Sequence, residues 1–331
     1  MRHKKRIVLG SLALIGGCLF LFLIGTYFAG QSARAEMVAQ NPPPGELVDI
    51  GGRRLHLNCV GEGSPTIILE AGLNEFSVQW AAIQEALQET NRVCSYDRAG
   101  LGWSDVADES FTVNRAVSDL HKVLSAANIS SPYLLVGHSF GGVNMRLFAN
   151  QYPQEVMGMV LVDSAHEAQF EQLPAVFASA TDEVVGQFQS LDQMNRLGLL
   201  ALSPEQIPVP NLPDTAVSQY RAVLATTPYF ATAVTESEAF PQYLQDAQAQ
   251  NATNFGDMPI IILSRGQISP FAGVSEADND QYEETWQLLQ ADLRNLSRNT
   301  QQIIAEESGH YIHLDQPELV IAAIQELAAQ D

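Results

Sequence analysis

Basic residues are scarce in this sequence of 331 residues. Four of its 17 lysine and arginine residues precede position 7, and Lys122 is the only lysine after them. The rest of the chain carries 13 lysine and arginine residues against 38 aspartate and glutamate residues. A surface this acidic repels a phosphate backbone, which argues against nucleic acid as a partner. We therefore expect a solvated, acidic surface on the folded protein.

Charge is also low overall, at 17% of residues, whereas 46% of residues are hydrophobic. This balance supports a sizeable core and argues against general disorder. The sequence shows no internal repeat and no spacing of metal ligands. The chemistry inferred below needs no cofactor and no metal.

Residues 7–30 contain no charged side chain. A helix of this length spans the ~30 Å hydrocarbon core of a bilayer. The basic flank before it favours a cytoplasmic N-terminus, so residues 1–30 are predicted to be a single-pass signal anchor with the rest of the chain outside the cytoplasm. The alternative is a secreted protein, cleaved near Ala35 after a signal peptide. Residues 31–45 become polar and then proline-rich, which predicts a linker.

After this linker, short apolar runs alternate with helical patterns. This alternation predicts an α/β fold with a mainly parallel sheet covered by helices on both faces. Residues 165–257 break the alternation, because they are rich in alanine, glutamine and phenylalanine and lack clear strands. We predict that they form a helical cap over the sheet. The predicted strands are Leu47–Ile50, Arg54–Val60, Thr66–Glu70, Arg92–Tyr96, Tyr133–Val136, Met159–Asp163, Pro259–Ser264 and Gln301–Ala305.

The segment Gly137-His138-Ser139-Phe140-Gly141 joins one of these strands to a helical pattern. Its G-x-S-x-G spacing is common by chance, but here it has the strand before it and the helix after it that a nucleophile elbow requires. The helix N-terminus beneath the serine oxygen favours developing negative charge. We therefore predict that Ser139 is a catalytic nucleophile.

A serine hydroxyl is a weak nucleophile and needs a base. Of the seven histidines, His310 fits best, since it lies late in the chain on a loop after the last strand. His138 is expected to point elsewhere, and His313 is expected to be structural. The oxyanion of an acyl-transfer reaction also needs hydrogen-bond donors. The backbone N–H groups of Leu73 and Phe140 are the predicted donors.

Taken together, these motifs resemble those of the α/β-hydrolase fold family. The resemblance covers about residues 46–331 and implies a mainly parallel eight-stranded sheet, a cap at about 165–257, and a Ser-His-acid hydrolase. The sequence departs from the family in two places: Ala71 stands where a His-Gly pair is common, and Arg265-Gly266-Gln267 lacks the G-x-x-D that usually supplies the acid. The matching segments are Glu70-Ala71-Gly72-Leu73, Tyr96–Asp105, Gly137–Gly142 and Ser308-Gly309-His310.

The second departure leaves the triad acid open. Asp163 ends the strand that follows the elbow helix, at a spacing from Ser139 similar to that in haloalkane dehalogenases. We predict Asp163 as the acid. Asp278, Asp280 and Glu276 are the alternatives, although they look like the start of a helix, where acidic residues are common.

The strand order that the resemblance implies sets the second strand beside the fourth. Cys59 and Cys94 fall near the ends of these two strands, and the domain is expected in an oxidising compartment. We predict a disulfide between them. The alternative is a pair of buried free thiols.

Ser139 argues against epoxide hydrolases and haloalkane dehalogenases of this fold, which use aspartate at the elbow. A small apolar carboxylic ester is the predicted substrate. The alternatives are an amidase or peptidase, a C–C bond hydrolase, and a non-catalytic ligand-binding protein. The cap residues that favour an apolar substrate, and that would also pack the cap helices, are Phe170, Phe177, Phe188, Leu199, Leu200, Tyr220, Tyr229 and Phe230.

Overall fold

A computed structural model describes residues 2–108, 110–174, 176–268, 270–271 and 273–330. The predicted anchor, cap and hydrolase domain include the other positions, 1, 109, 175, 269, 272 and 331, which lie outside the described residues. Eight described strands form one sheet in the order β1-β2-β4-β3-β5-β6-β7-β8. The first two strands pair in antiparallel fashion and the other six are parallel. The predicted eight-stranded, mainly parallel sheet is therefore confirmed. The strands are β1 Glu46–Asp49, β2 Arg54–Val60, β3 Thr66–Glu70, β4 Val93–Tyr96, β5 Tyr133–His138, β6 Val156–Val162, β7 Ile260–Arg265 and β8 Thr300–Ala305.

Helices cover both faces of the sheet, and five of those described lie between β6 and β7 as the predicted cap. The helices are α1 Arg2–Gln40, α2 Ala81–Leu87, α3 Val113–Ala126, α4 Phe140–Gln151, α5 Gln169–Gln172, α6 Val176–Arg196, α7 Leu199–Leu202, α8 Asp214–Leu224, α9 Thr227–Ala249, α10 Glu276–Asp292, α11 Ile312–Asp315 and α12 Pro317–Ala328.

The packing of the central strand β5 explains why the sequences of such strands are continuous apolar runs. Leu134 and Val136 pack with side chains of α2 and α12 on one face, whereas Leu135 packs with side chains of α3 and α4 on the other. All three side chains are fully buried. Successive strand residues point to opposite faces, so a strand covered on both faces needs apolar residues at every position.

The N-terminal segment differs from the predicted linker. Helix α1 continues to Gln40, and only residues 41–45 are irregular. The segment from Ala33 to Gln40 is rich in good helix formers, and the first proline is Pro42. Among the described residues, one helix is long and apolar enough to cross a membrane, Gly16–Gln40, with a mean hydropathy of 1.2.

The end of α1 packs against the cap. Arg34 donates hydrogen bonds to the carbonyl oxygen of Ala225 at 2.8 Å and to Oδ1 of Asn195 at 3.1 Å. A Cβ atom added to Gly30 would lie 2.6 Å from the carbonyl oxygen of Gly198. The two backbones therefore pass in direct contact, and only glycine fits there.

Cys59 and Cys94 are direct cross-strand partners on β2 and β4, and the structure joins their sulfur atoms. We expect alkylation of the purified protein without reductant to modify neither cysteine, as measured by mass spectrometry. Because the bond closes a loop of 35 residues, the Cys59→Ser/Cys94→Ser protein should lose about 2–4 kcal/mol of unfolding free energy in urea. Alkylation of both residues in the folded, unreduced protein would contradict the bond.

Candidate active site

Ser139 lies in the turn between β5 and α4, with φ 50° and ψ −118°. A residue with a side chain is strained in this region of φ/ψ space. The flanking glycines make the turn possible, because a Cβ atom on Gly137 would lie 2.5 Å from the backbone of Gly141, and one on Gly141 would lie 2.4 Å from the carbonyl oxygen of Glu70. The strained turn places Ser139 at the N-terminus of α4, as the sequence predicts for an elbow.

Asp163 and His310 meet beside this elbow. Asp163 directly follows β6, which pairs with β5, and the N–H of Ser139 donates to the carbonyl oxygen of Val162 at 3.0 Å. Nδ1 of His310 lies 2.6 Å from Oδ2 of Asp163. The structure thus places the predicted base and the predicted acid in direct contact, at the sheet edge where the turn of Ser139 follows the neighbouring strand β5.

The carboxylate of Asp163 is fully buried and receives further donors. Its Oδ1 accepts from the N–H of Arg265 at 3.1 Å and from Nε1 of Trp286 at 3.0 Å, and its Oδ2 lies 3.3 Å from Nη1 of Arg265. Burial alone would raise the pKa of Asp163, but the bonds to His310, Arg265 and Trp286 outweigh it and lower that pKa. Asp163 is therefore held ionised.

Arg265 occupies the end of β7, where the resemblance expects the acid. Its Nη2 donates to Oε2 of Glu283 at 2.7 Å, and its guanidinium carbon lies 4.7 Å from the ring centroid of Trp286 and 5.3 Å from that of Tyr282. Sequence reasoning noted Arg265 only as a departure from the family pattern. A buried arginine at this strand end was the available signal that an acidic partner lies on the neighbouring strand, since buried charges are normally paired.

The alternative acids lie at the start of α10, as their sequence context suggests. Asp278 takes part in a cap, with Oδ2 accepting from Oγ of Ser275 at 2.6 Å. Glu276 and Asp280 are exposed. Within the part of the chain that the structure describes, the carboxylate bonded to His310 is that of Asp163.

His138 was expected to point away from the site, but its ring centroid lies 4.7 Å from that of His310. Its Nδ1 lies 2.8 Å from Oε2 of Glu75, and its Nε2 lies 2.9 Å from the carbonyl oxygen of His310. Both neighbours accept hydrogen bonds, so both ring nitrogens carry a proton. Burial opposes this charge, but Glu75 outweighs burial and raises the pKa of His138.

The charge on His138 also affects Glu75, the other member of this buried ion pair. Burial of Glu75 is outweighed by His138, which lowers the pKa of Glu75 to about 2. Donor atoms of Glu75, His138 and His313 lie within 4.8 Å of one another. A doubly protonated His138 has no lone pair to offer a metal ion, so we interpret this group as a buried ion pair. The neighbouring His313 is fully buried, and burial lowers its pKa well below the usual value.

These charges predict how the activity should depend on pH with His310 as the predicted base. Burial, followed by the charges of His138 and Arg265, lowers the pKa of His310 from 6.5, although Asp163 acts in the opposite direction. The base works in its neutral form, so kcat/KM should fall only as pH drops through a value below 6.5. Glu75→Gln removes the partner that keeps His138 charged and should move this acid limb to higher pH. A wild-type limb above pH 7, or no movement in the variant, would contradict the assignment.

The predicted oxyanion loop, residues 71–74, is held by Arg98. Nη1 and Nη2 of this buried arginine donate to the carbonyl oxygens of Ala71 at 2.7 Å and Gly72 at 2.6 Å. Its Nε donates to Oε1 of Glu236 at 2.6 Å, and Oε2 of the same glutamate accepts from the N–H of Asn74 at 2.8 Å. Glu236 belongs to cap helix α9, so Arg98 ties the oxyanion loop to the cap.

We expect Arg98→Lys to lower kcat by about 10²-fold, because lysine cannot reproduce the planar fork and the loop would shift. The measurement is ester hydrolysis together with urea unfolding. Arg54→Lys is the matched control, since Arg54 pairs with Asp105 at the surface with 54% of its side chain exposed. The control should change stability by no more than about 0.5 kcal/mol. Unchanged kcat in Arg98→Lys would refute the positioning role.

Two cavities adjoin this loop, because Leu73 and Asn74 line both. The larger, about 630 Å³, also reaches Tyr311 beside the base. The smaller is about 250 Å³. All eight apolar cap residues singled out in the sequence line one or the other: Phe188, Leu199, Leu200, Tyr220, Tyr229 and Phe230 the larger, Phe170 and Phe177 the smaller. Both cavities are therefore mainly apolar at the cap.

A parallel sheet with a strained serine elbow and a His-carboxylate pair at its carboxyl edge defines an α/β enzyme of the hydrolase class. The sequence model of the alpha/beta hydrolase fold matches residues 65–317. The chain therefore belongs to the α/β-hydrolase fold family, as its motifs indicate.

Three matches to individual proteins illustrate what the chain is similar to. The protein YqjL of Bacillus subtilis is 26% identical over 268 residues, which is 81% of this chain and 85% of that protein. A protein of Hormonema carpetanum named "Probable transporter efuK" is 35% identical over 136 residues, but the match spans only 20% of its length. A thermophilic esterase from Thermogutta terrifontis has a similar structure, with a TM-score of 0.56 and 18% identity over 85% of this chain and 96% of its own.

Proposed function

We propose that this protein is a serine hydrolase that cleaves a carboxylic ester through an acyl-enzyme intermediate. Ser139 is the nucleophile, His310 the general base, and Asp163 the acid that orients the base. The N–H groups of Leu73 and Phe140 bind the oxyanion. The observation that carries the proposal is the 2.6 Å contact between Nδ1 of His310 and Asp163, beside a serine held in a strained elbow.

The reaction proceeds in two halves. Nε2 of His310 takes the proton of the Ser139 hydroxyl as its oxygen attacks the ester carbonyl carbon. The tetrahedral oxyanion forms at the N-terminus of α4, which begins at Phe140, and the leaving alkoxide receives from His310 the proton that came from Ser139. Water then attacks the acyl-enzyme by the same route and releases the acid. Throughout, ionised Asp163 keeps Nδ1 of His310 protonated.

The two cavities suit the two parts of an ester substrate. Both are mainly apolar and both are lined by Leu73 and Asn74, so they offer separate space for an acyl part and an alcohol part. The larger cavity has the volume of an ordinary small-molecule site. We assign the acyl chain to this larger cavity and the alcohol to the smaller one.

The test is a substrate panel at fixed pH. We expect p-nitrophenyl esters, from acetate to longer acyl chains, to be hydrolysed with a kcat/KM that rises with chain length, and the matching p-nitroanilides to be much slower. Faster turnover of the anilides would favour an amidase or peptidase. Turnover of neither class, together with binding of apolar ligands, would favour a non-catalytic ligand-binding protein.

We also propose that α1 is an uncleaved signal anchor with the catalytic domain outside the cytoplasm. Cleavage near Ala35 would remove Gln31 and Arg34, whose side chains bind the cap: Nε2 of Gln31 donates to the carbonyl oxygen of Arg196 at 3.1 Å. N-terminal sequencing of the protein from membranes tests this. A mature N-terminus at Glu36 in freely soluble protein would overturn it.

A further inference from the structure

The apolar part of α1 ends where it touches the cap. Gly30 meets Gly198 in backbone contact. One turn earlier, Tyr27 and Phe28 are 42% and 65% exposed. Aromatic side chains of this kind concentrate at the boundary between hydrocarbon and water. The contact with Gly198 therefore lies at the level of the outer membrane surface if residues 7–30 span the bilayer.

The cap carries an exposed apolar patch around this contact, formed by Met194, Leu197 and Leu202. These side chains are 42%, 51% and 41% exposed. Leu197 immediately precedes Gly198. Met194 lies four residues before Gly198, and Leu202 lies four residues after it. Neighbouring exposed apolar residues of this size are typical of an interaction surface.

The patch adjoins the larger cavity. Leu199 and Leu200 of α7 line that cavity, while Leu202 at the end of the same helix is exposed. Met194 both lines the cavity and is exposed, so it marks part of the opening. The opening is therefore beside the end of the apolar segment of α1.

We propose that the apolar patch formed by Met194, Leu197 and Leu202 rests on the outer surface of the membrane that α1 spans, and that the larger cavity draws a long-chain ester from the lipid layer. The substrate part rests on the proposed function. A lipid surface fits better than a second copy of the chain, because the contact between Gly30 and Gly198 fixes the patch beside the membrane-spanning segment of its own chain. Lipid supplies the apolar environment that the exposed leucines lack.

The first experiment tests the surface without using activity. The full chain with Leu197→Trp is reconstituted into phosphatidylcholine vesicles that contain brominated lipid, and its added tryptophan fluorescence is compared with wild type. The control is Leu288→Trp on α10, where the leucine is 69% exposed. We expect quenching at position 197 and none at 288. Equal quenching at both, none at either, or cross-linking of two copies through the patch would overturn the membrane surface.

The second experiment tests the substrate. Leu197→Asp/Leu202→Asp should hydrolyse soluble p-nitrophenyl butyrate within about twofold of wild type but lose tenfold or more on p-nitrophenyl palmitate held in vesicles, because a charged carboxylate does not enter the lipid layer. Leu288→Asp should leave both rates unchanged. Equal loss on both esters, or no loss on either, would overturn lipid delivery. A wild type inactive on both esters would instead refute the proposed function, and the quenching result would still decide the surface.

Discussion

Ser139→Ala is expected to lower kcat for ester hydrolysis by about 10⁶-fold, to the level left by binding and oxyanion stabilisation alone. The reason is that the acyl group is transferred to the side-chain oxygen of Ser139, which alanine lacks. The strained elbow places Ser139 at the N-terminus of α4. The measurement combines single-turnover kinetics with labelling by a fluorophosphonate probe, which should modify wild type at Ser139 and fail to modify the variant.

Ser203→Ala is the matched control, because it makes the same chemical change at a serine that lines the larger cavity. It should retain both labelling and turnover within a few-fold. The nucleophile assignment fails if Ser139→Ala keeps activity, or if the probe modifies folded wild type at another serine.

Asp163→Asn should lower kcat by about 10⁴-fold, because asparagine holds the imidazole of His310 in the wrong tautomer. Asp278→Asn and Asp280→Asn serve as controls and should stay close to wild type, since Asp278 caps a helix and Asp280 is exposed. Steady-state kinetics with a soluble ester measures all three variants. A strongly reduced kcat in the Asp278 or Asp280 variant, together with an active Asp163→Asn protein, would assign the triad acid to α10.

Asp163→Asn also leaves the guanidinium of Arg265 beside a neutral amide, with Glu283 as its remaining carboxylate partner. Removal of one member of a buried charge network is destabilising, by about 3–5 kcal/mol where the pair is well formed. Urea unfolding therefore has to accompany the kinetics. A protein that stays folded at the assay temperature and is still inactive separates the catalytic effect from the structural one.

Much of the fold was predictable because its determinants are local. The strand of Leu134, Leu135 and Val136 reads as buried on both faces, and the spacing of Gly137, Ser139 and Gly141 specifies the elbow that follows. The eight predicted strands lie within a few residues of those observed. Short-range pattern and turn chemistry determined these elements.

Other features depend on residues far apart in the chain, and the sequence did not reveal them. Arg98 and Glu236 are 138 positions apart, and nothing near either residue indicates the other. His138 was assigned a direction from the elbow alone, whereas Glu75 and the carbonyl oxygen of His310 determine where its ring lies. The polarity of residues 31–40 likewise does not show that Arg34 of α1 finds hydrogen-bond partners on the cap.

The packing of α1 on the cap bears on where a soluble fragment should be cut. A fragment beginning at Asn41 would leave the buried Asn195 and the carbonyl oxygen of Ala225 without the guanidinium of Arg34. It would also uncover Gly198, which immediately precedes Leu199 and Leu200 in the wall of the larger cavity. Proteases should then enter at the α6–α7 turn, and the fragment should aggregate through its opened cap. A fragment beginning at Gly30 keeps the docked turn and should crystallise more readily.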